Sequence, residues 1–326
     1  ADPTASGLEA FLPPVRDWFS ETFGEPTAPQ SQGWPAIQRG EHTLILSPTG
    51  SGKTLAAFLW AIDRLYHELA AVPEGEKAEP GVRVLYISPL KALNNDIYRN
   101  LRRPLAGVRR QAQMQGDELP KIRVAVRSGD TPQRERRSMV TTPPHILITT
   151  PESFYLILTS PKAREMLRTV ETVIVDEIHT LAGNKRGVHL ALSLERLEHL
   201  VGTHRAGQAA TRLRSDVIAA GAEAQVKPAA SPGKAPSPTA VQRIGLSATI
   251  RPLDEVARFL GGNQWTGEGD DRRLEPRPVT LVDAGYRKGL DLEVVSVVDD
   301  FRNLPGDSIW PTLVPSVLDL IRDHRT

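Results

Sequence analysis

The chain has 326 residues, enough for one large domain or two ordinary ones, and 40% apolar content, which supports a packed core and excludes a disordered chain. Its net charge is +1, from 40 basic and 39 acidic residues, so binding to a polyanion must use local patches or backbone amides rather than an overall basic surface. There is no cysteine, which excludes disulfides, thiolate metal sites and cysteine nucleophiles. No run approaches the ~18 apolar residues of a membrane-spanning helix, and no secretion signal opens the chain, so a soluble cytoplasmic protein is expected.

In chain order, residues 1–22 read as a lead-in helix. The apolar run Thr43-Leu44-Ile45-Leu46 reads as a buried strand, and Leu55 to Ile62 as a buried helix. Residues 72–81 are charged, bounded by proline and expected as a surface loop. Further strands are expected at 82–87, 122–126, 145–149, 173–175 and 243–246. Between the last two, Leu190, Leu194, Leu197 and Val201 recur at helical spacing. Residues 203–240 are rich in Ala, Pro, Ser and Gly and are expected to be an insertion without regular structure. From about 267 the composition turns polar, and 267–309 reads as a connecting segment with strand-like runs at 279–282 and 292–298. Trp310-Pro311-Thr312 opens an amphipathic helix carrying Leu313, Val317, Leu320 and Ile321. Strands alternating with helices predict an α/β fold with a mostly parallel sheet covered on both faces, and ligands beyond the carboxyl ends of its strands.

Between the first strand and its helix lies Ser47-Pro48-Thr49-Gly50-Ser51-Gly52-Lys53-Thr54. Strand, glycine-rich turn and helix is the context of a phosphate-binding loop. Gly50 and Gly52 let backbone amides approach phosphate oxygens, and the helix amino terminus adds unpaired N–H groups. Lys53 is expected to reach the β- and γ-phosphates, and the Thr54 hydroxyl to hold Mg²⁺. Ser47 stands where the strict pattern has its first glycine. Downstream, Val173-Ile174-Val175 ends in Asp176-Glu177-Ile178-His179, the second half of a nucleotide site. Asp176 is expected to hold Mg²⁺ through water, and Glu177 to orient and deprotonate the attacking water. The next strand ends in Gly245-Leu246-Ser247-Ala248-Thr249, whose hydroxyls, taken alone, read best as helix caps.

Phosphate loop, Asp-Glu-Ile-His and Ser-Ala-Thr, in that order, resemble the first RecA-like lobe of a superfamily 2 helicase. More narrowly, the chain is similar to the large helicase-related (Lhr) family of DNA helicases. Phe23 to Gln30 with Gly33-Trp34-Pro35, Ser88 to Leu93, Arg127 to Thr131, Thr149 to Ser153 and Lys185-Arg186-Gly187 carry that match, over roughly residues 11–262. The resemblance implies a RecA-like P-loop NTPase domain over 23–266 that uses ATP and Mg²⁺. It implies that Gln30 reads the adenine edge, with Phe11, Trp18, Phe19 or Phe23 as the stacking aromatic. His179, Ser247 and Thr249 take coupling roles. Pro89, Leu90, Lys91, Gly129, Asp130, Thr150 and Pro151 take nucleic-acid contacts, where an exposed helix amino terminus at Thr150-Pro151-Glu152 would bind a backbone phosphate. For Arg99, Arg102, Arg134 and Arg137 a solvated helix face is the better reading.

The family carries a second RecA-like lobe with arginine fingers, worth ~10³–10⁵ in phosphoryl-transfer rate. Residues 310–326 read as the first helix of that lobe, cut short, so the chain is expected to bind nucleotide with little turnover. The activity implied is an ATP-dependent helicase on single-stranded DNA, of 3′-to-5′ polarity and acting in DNA repair. The alternatives are a DEAD-box RNA helicase, disfavoured by His179 and the segment around Ser88-Pro89-Leu90, and a nucleotide-dependent binding module without motor activity.

Overall fold

The computed structural model describes residues 7–73, 75–76, 78–219, 241–248, 251–267, 271–285, 296 and 308–323. The chain divides into two compact units, Ala1–Gly285 and Tyr286–Thr326. In the first, α1 (Pro13–Phe23) and α2 (Ala28–Gln38) precede β1 (His42–Leu46) and α3 (Lys53–Ala70). Then follow β2 (Val84–Ile87), α4 (Lys91–Met114), β3 (Val124–Arg127), α5 (Gln133–Thr141), β4 (Ile146–Thr149) and α6 (Pro151–Thr159). β5 (Thr172–Val175), α7 (Lys185–Ala219), β6 (Gln242–Ser247), α8 (Leu253–Gly261) and the strands β7 (Asn263–Thr266), β8 (Arg273–Pro276) and β9 (Val279–Asp283) complete it. In the second unit, α9 (Trp310–Asp323) exposes Val314, Val317 and Ile321.

Seven strands form one sheet in the order β3-β4-β2-β5-β6-β1-β9, and every pairing in it is parallel. Each central strand sends alternate residues to opposite faces, as period-2 geometry requires. Ile45, Tyr86, Ile146, Ile148, Ile174 and Ile244 enter the core under α1 to α4, while Leu44, Leu85, Ile87, Leu147, Val173 and Val175 enter the core under α6 to α8. The strands read as continuous apolar runs because both faces are covered. β7 and β8 pair antiparallel outside this sheet.

Three sequence boundaries change. The expected lead-in helix is part of the core: Phe11, Val15, Trp18 and Phe19 are buried, so aromatic packing joins α1 to the sheet-covering layer. The expected insertion does not start at 203, because α7 runs unbroken to Ala219. Residues 203–219 contain no proline, and their commonest residues are Ala and Arg, both strong helix formers. Residues 220–240 lie outside the described residues. The expected connecting segment also contributes to the sheet, because β9 pairs with β1 and satisfies its otherwise open edge. The run at 292–298 lies outside the described residues apart from Ser296.

Candidate functional site

Because the sheet is parallel, every motif that follows a strand emerges on one edge. The strand order then divides that edge. The phosphate loop follows β1, Asp176-Glu177 follows β5, and Ser247 ends β6, which lies between them. The segments 88–91, 128–131 and 150–151 follow β2, β3 and β4, three successive neighbours at the other end of the sheet.

In the loop, Gly50 and Gly52 have φ of 80° and 89°, a left-handed backbone that disfavours any side chain. A Cβ on Gly52 would also lie 2.8 Å from Gln30 Nε2. Pro48, Thr49 and Gly50 are exposed, Ser51 and Thr54 half-buried, and Lys53 buried, with Nζ 3.5 Å from the Pro48 carbonyl. The Ser51 hydroxyl is buried with no partner. Serine is tolerated at position 47 because its φ is not positive and its N–H continues the ladder to Ser247 O at 3.1 Å. Glycine cradle, helix amino terminus, buried lysine and orphaned hydroxyl fit a phosphate group.

Asp176 is buried, which raises its carboxyl above the usual range; a hydrogen bond from Tyr86 and the charge of Lys53 oppose this. Its Oδ1 accepts the Glu177 N–H at 2.9 Å, and its Oδ2 accepts the Tyr86 hydroxyl. Glu177 takes φ 45° and ψ 41°, the one left-handed non-glycine among the described residues. Such a conformation persists only where the surroundings impose it. Thr180 donates to the Glu177 carbonyl through its N–H and its hydroxyl, both at 2.9 Å. His179 Nδ1 lies 3.4 Å from Glu177 Oε2 and 3.3 Å from Ser247 Oγ, so two motifs meet through one imidazole. Thr249 lies outside the described residues. Among the described residues no three His, Asp or Glu side chains cluster as a metal site. A Mg²⁺ ion bound by one or two protein groups plus phosphate oxygens and water needs no such cluster.

Gln30 is buried, and its amide is engaged. Its Oε1 accepts the Thr27 N–H at 2.8 Å, completing a capping box for α2, and its Nε2 lies 3.4 Å from Gly52 O. Of the four aromatic candidates, Phe11, Trp18 and Phe19 are in the core, and only Phe23 is exposed, at 49%.

Along the other half of the edge, Leu90, Lys91, Gly129 and Asp130 are exposed and Pro89, Thr150 and Pro151 buried. Lys91 Nζ pairs with both Asp130 oxygens, at 3.0 and 3.2 Å. Thr150-Pro151-Glu152 does open α6, and part of its amino terminus is already taken. The Thr150 hydroxyl caps Ser153 N, proline has no N–H, and the Glu152 side chain is held by Arg186 at 2.7 Å. Arg99, Arg102, Arg134 and Arg137 are exposed, as expected. Sequence reasoning missed Arg186, which also donates to Pro89 O at 2.9 Å, and Arg136, which donates to the carbonyls of Ser128, Gly129 and Thr131 and so shapes that turn. It also missed Tyr86. The sole hint for Arg186 is its place in the Lys-Arg-Gly triplet.

Cavities of about 690, 780 and 700 Å³ lie elsewhere, and none is lined by Lys53, Asp176 or Glu177. The loop and the carboxylates lie on the same sheet edge, where the buried Lys53 and Asp176 mark the site by their chemistry. Among the described residues no helix is long and apolar enough to cross a membrane.

The chain is similar over its whole length to the Lhr helicase/probable uracil glycosylase of Mycolicibacterium smegmatis, at 46% identity, and spans 18% of that protein. It is 44% identical over 99% of its length to the ATP-dependent helicase Lhr-Core of Methanothermobacter thermautotrophicus, and spans 32% of it. Among solved structures, Mycobacterium smegmatis Lhr bound to single-stranded DNA and AMP-PNP matches all of this chain, with a TM-score of 0.70 and 44% identity, over 34% of its own length. The chain thus spans about a third or less of the relatives it matches. The DEAD/DEAH box helicase family model matches residues 27–256, most of the chain, and the chain belongs to that family.

Proposed function

We propose that this chain is the ATP-binding lobe of an ATP-dependent helicase of the Lhr type that moves along single-stranded DNA. The observation that carries the reading is the divided sheet edge, with the nucleotide motifs on β5, β6 and β1 and the candidate nucleic-acid segments on β3, β4 and β2. In this reading Gln30 and residues 48–54 hold ATP, with Lys53 on the outer phosphates. Thr54 and Asp176 hold Mg²⁺, which supplies neutralisation of phosphate charge. Glu177 orients and deprotonates water. His179, Ser247 and Thr249 couple the nucleotide site to the DNA segments. Pro89, Leu90, Lys91, Gly129, Asp130, Thr150 and Pro151 contact the DNA backbone, which requires no sequence readout. The M. smegmatis structure with single-stranded DNA and AMP-PNP supports both ligands. The domain reading keeps the RecA-like lobe, a connecting segment, and α9 as the start of a second lobe that supplies arginine fingers. We further assign 3′-to-5′ movement, a role in DNA repair and a cytoplasmic setting.

The test uses the intact motor. Glu177→Gln should keep Mg²⁺-dependent ATP binding and lower single-turnover hydrolysis by about 10²–10⁴, the usual worth of a positioned general base. Single-stranded DNA should stimulate hydrolysis more than RNA of the same sequence. Parental hydrolysis in the variant would remove Glu177 from the mechanism, and stronger stimulation by RNA would favour an RNA helicase.

A further inference from the structure

Tyr86 is fully buried on β2, in the core under α1 to α4 with Val84. A phenol in such a core requires a partner for its hydroxyl. The partner is the Asp176 carboxylate, through Oδ2. The ring stacks on Phe58 of α3, the helix that begins at the phosphate loop, with centroids 4.8 Å apart and planes 22° apart. With Glu177 N–H on Oδ1, each carboxylate oxygen of Asp176 is fixed by one donor and keeps lone pairs free for other partners. β2 is also the strand at which the edge divides, with β5 on one side and β4 on the other. Two residues beyond Tyr86 the candidate nucleic-acid segment begins, and Arg186 holds its Pro89 carbonyl.

We infer that Tyr86 is a positioning residue for Asp176: its hydroxyl fixes the carboxylate for Mg²⁺, from the strand that continues directly into the 88–91 segment. The inference rests on the role given to Asp176 above. Phe58 sets the height of the ring against the phosphate-loop helix, and the β2–β5 ladder sets its distance from Asp176, whose N–H donates to Ile87 O at 2.9 Å.

Tyr86→Phe keeps the ring and its stack and removes only the hydroxyl. The affinity of the parent and the variant for a non-hydrolysable ATP analogue is measured in Mg²⁺ and in EDTA, with thermal melting in the absence of nucleotide. Affinity in Mg²⁺ should fall about tenfold, the scale of one hydrogen bond to a charged group, while affinity in EDTA is unchanged. The effect of Tyr86→Phe should vanish in an Asp176→Asn background. Equal weakening in Mg²⁺ and EDTA would make Tyr86 merely structural and overturn the inference, as would no weakening in Mg²⁺. A parent without Mg²⁺-dependent nucleotide binding would overturn the proposed site as well, whereas a normal parent with an unaffected variant removes Tyr86 alone. If Tyr86→Phe does not fold, Phe58→Leu, which frees the ring but keeps the hydroxyl, should show a smaller loss of the same Mg²⁺-specific kind. Loss shared equally with EDTA would again overturn the inference.

Discussion

Gln30 carries two structural contacts on one amide, and both bear on its expected role. Its oxygen closes the capping box of α2 and its nitrogen faces the Gly52 carbonyl, so an adenine edge must share or displace these bonds. Two substitutions separate the roles. Gln30→Glu keeps the acceptor of the box and loses the amide donor, whereas Gln30→Ala loses both. In thermal or denaturant unfolding, Gln30→Ala should be the less stable, by about 0.5–2 kcal/mol for the lost cap. In ATP binding the order should reverse, because Gln30→Glu adds negative charge beside the phosphate loop. Equal effects on both readouts would reduce Gln30 to a capping residue. Phe23 is the aromatic left for stacking, since burial removes the other three from contention.

The packing of α1 on α4 shows how an element is placed by one small residue. A Cβ on Gly107 would lie 2.0 Å from Trp18 Nε1, and Trp18 is a core side chain at 7% exposure. Alanine is the better helix former by roughly 1 kcal/mol, so propensity alone predicts that Gly107→Ala stabilises α4. The steric term has the opposite sign and wins, because a buried indole ring cannot swing away as a flexible chain end can. Overpacking of this kind costs about 1–3 kcal/mol. Gly107→Ala should therefore lower the midpoint of denaturant unfolding, and a raised midpoint would show that α1 yields at little cost. The charged group around Arg243 places α7 in a similar way. Its guanidinium, buried on β6, reaches Glu195 at 3.0 Å, and Arg277 reaches the same carboxylate at 2.7 Å. Two strand-side arginines thus hold one helix.

At the scale of the molecule, buried titratable groups set opposing pH dependences. His42 and His145 are pushed down to about 4, first by burial and then by neighbouring arginines, and each Nδ1 accepts a backbone N–H, from Arg243 at 3.0 Å and Arg123 at 3.2 Å. Their contribution is full above the unfolded value of about 6.5 and is lost as pH falls toward 4. Asp63 goes the other way. Burial raises it to about 6, against the opposing hydrogen bond from Leu12 N–H. Its contribution is full below about 3.8 and is lost as pH rises through 6. Asp63→Asn keeps an acceptor for Leu12 and removes the buried charge. It should raise stability at pH 8 by an amount of order 1–3 kcal/mol and change it little at pH 4, read by urea unfolding at both values. An equal effect at the two pH values would show that folding does not shift Asp63, because a group with the same pKa folded and unfolded contributes no pH dependence.

Contiguous features are legible in the amino-acid sequence. The phosphate loop, Asp176-Glu177-Ile178-His179 and the alternation of strands with helices each depend on residues adjacent in the chain, so their spacing alone carries them. Adjacency of strands is not legible there. That β2 sits beside β5, that β6 separates β5 from β1, and that the edge divides into two halves follow from packing both faces of one parallel sheet, and no local pattern encodes strand order. The same holds for the Tyr86–Asp176 bond across two strands, the occupied amide of Gln30, and the addition of β9 beside β1. The full extent of α7 escapes a sequence reading because Ala-rich, polar helix carries almost no apolar period once it leaves the core. Sequence determined which chemistry is present, because phosphate binding needs particular residues at short spacing. Tertiary structure decided which groups meet, because contacts between distant residues form only where the folded sheet and its covering helices bring them together.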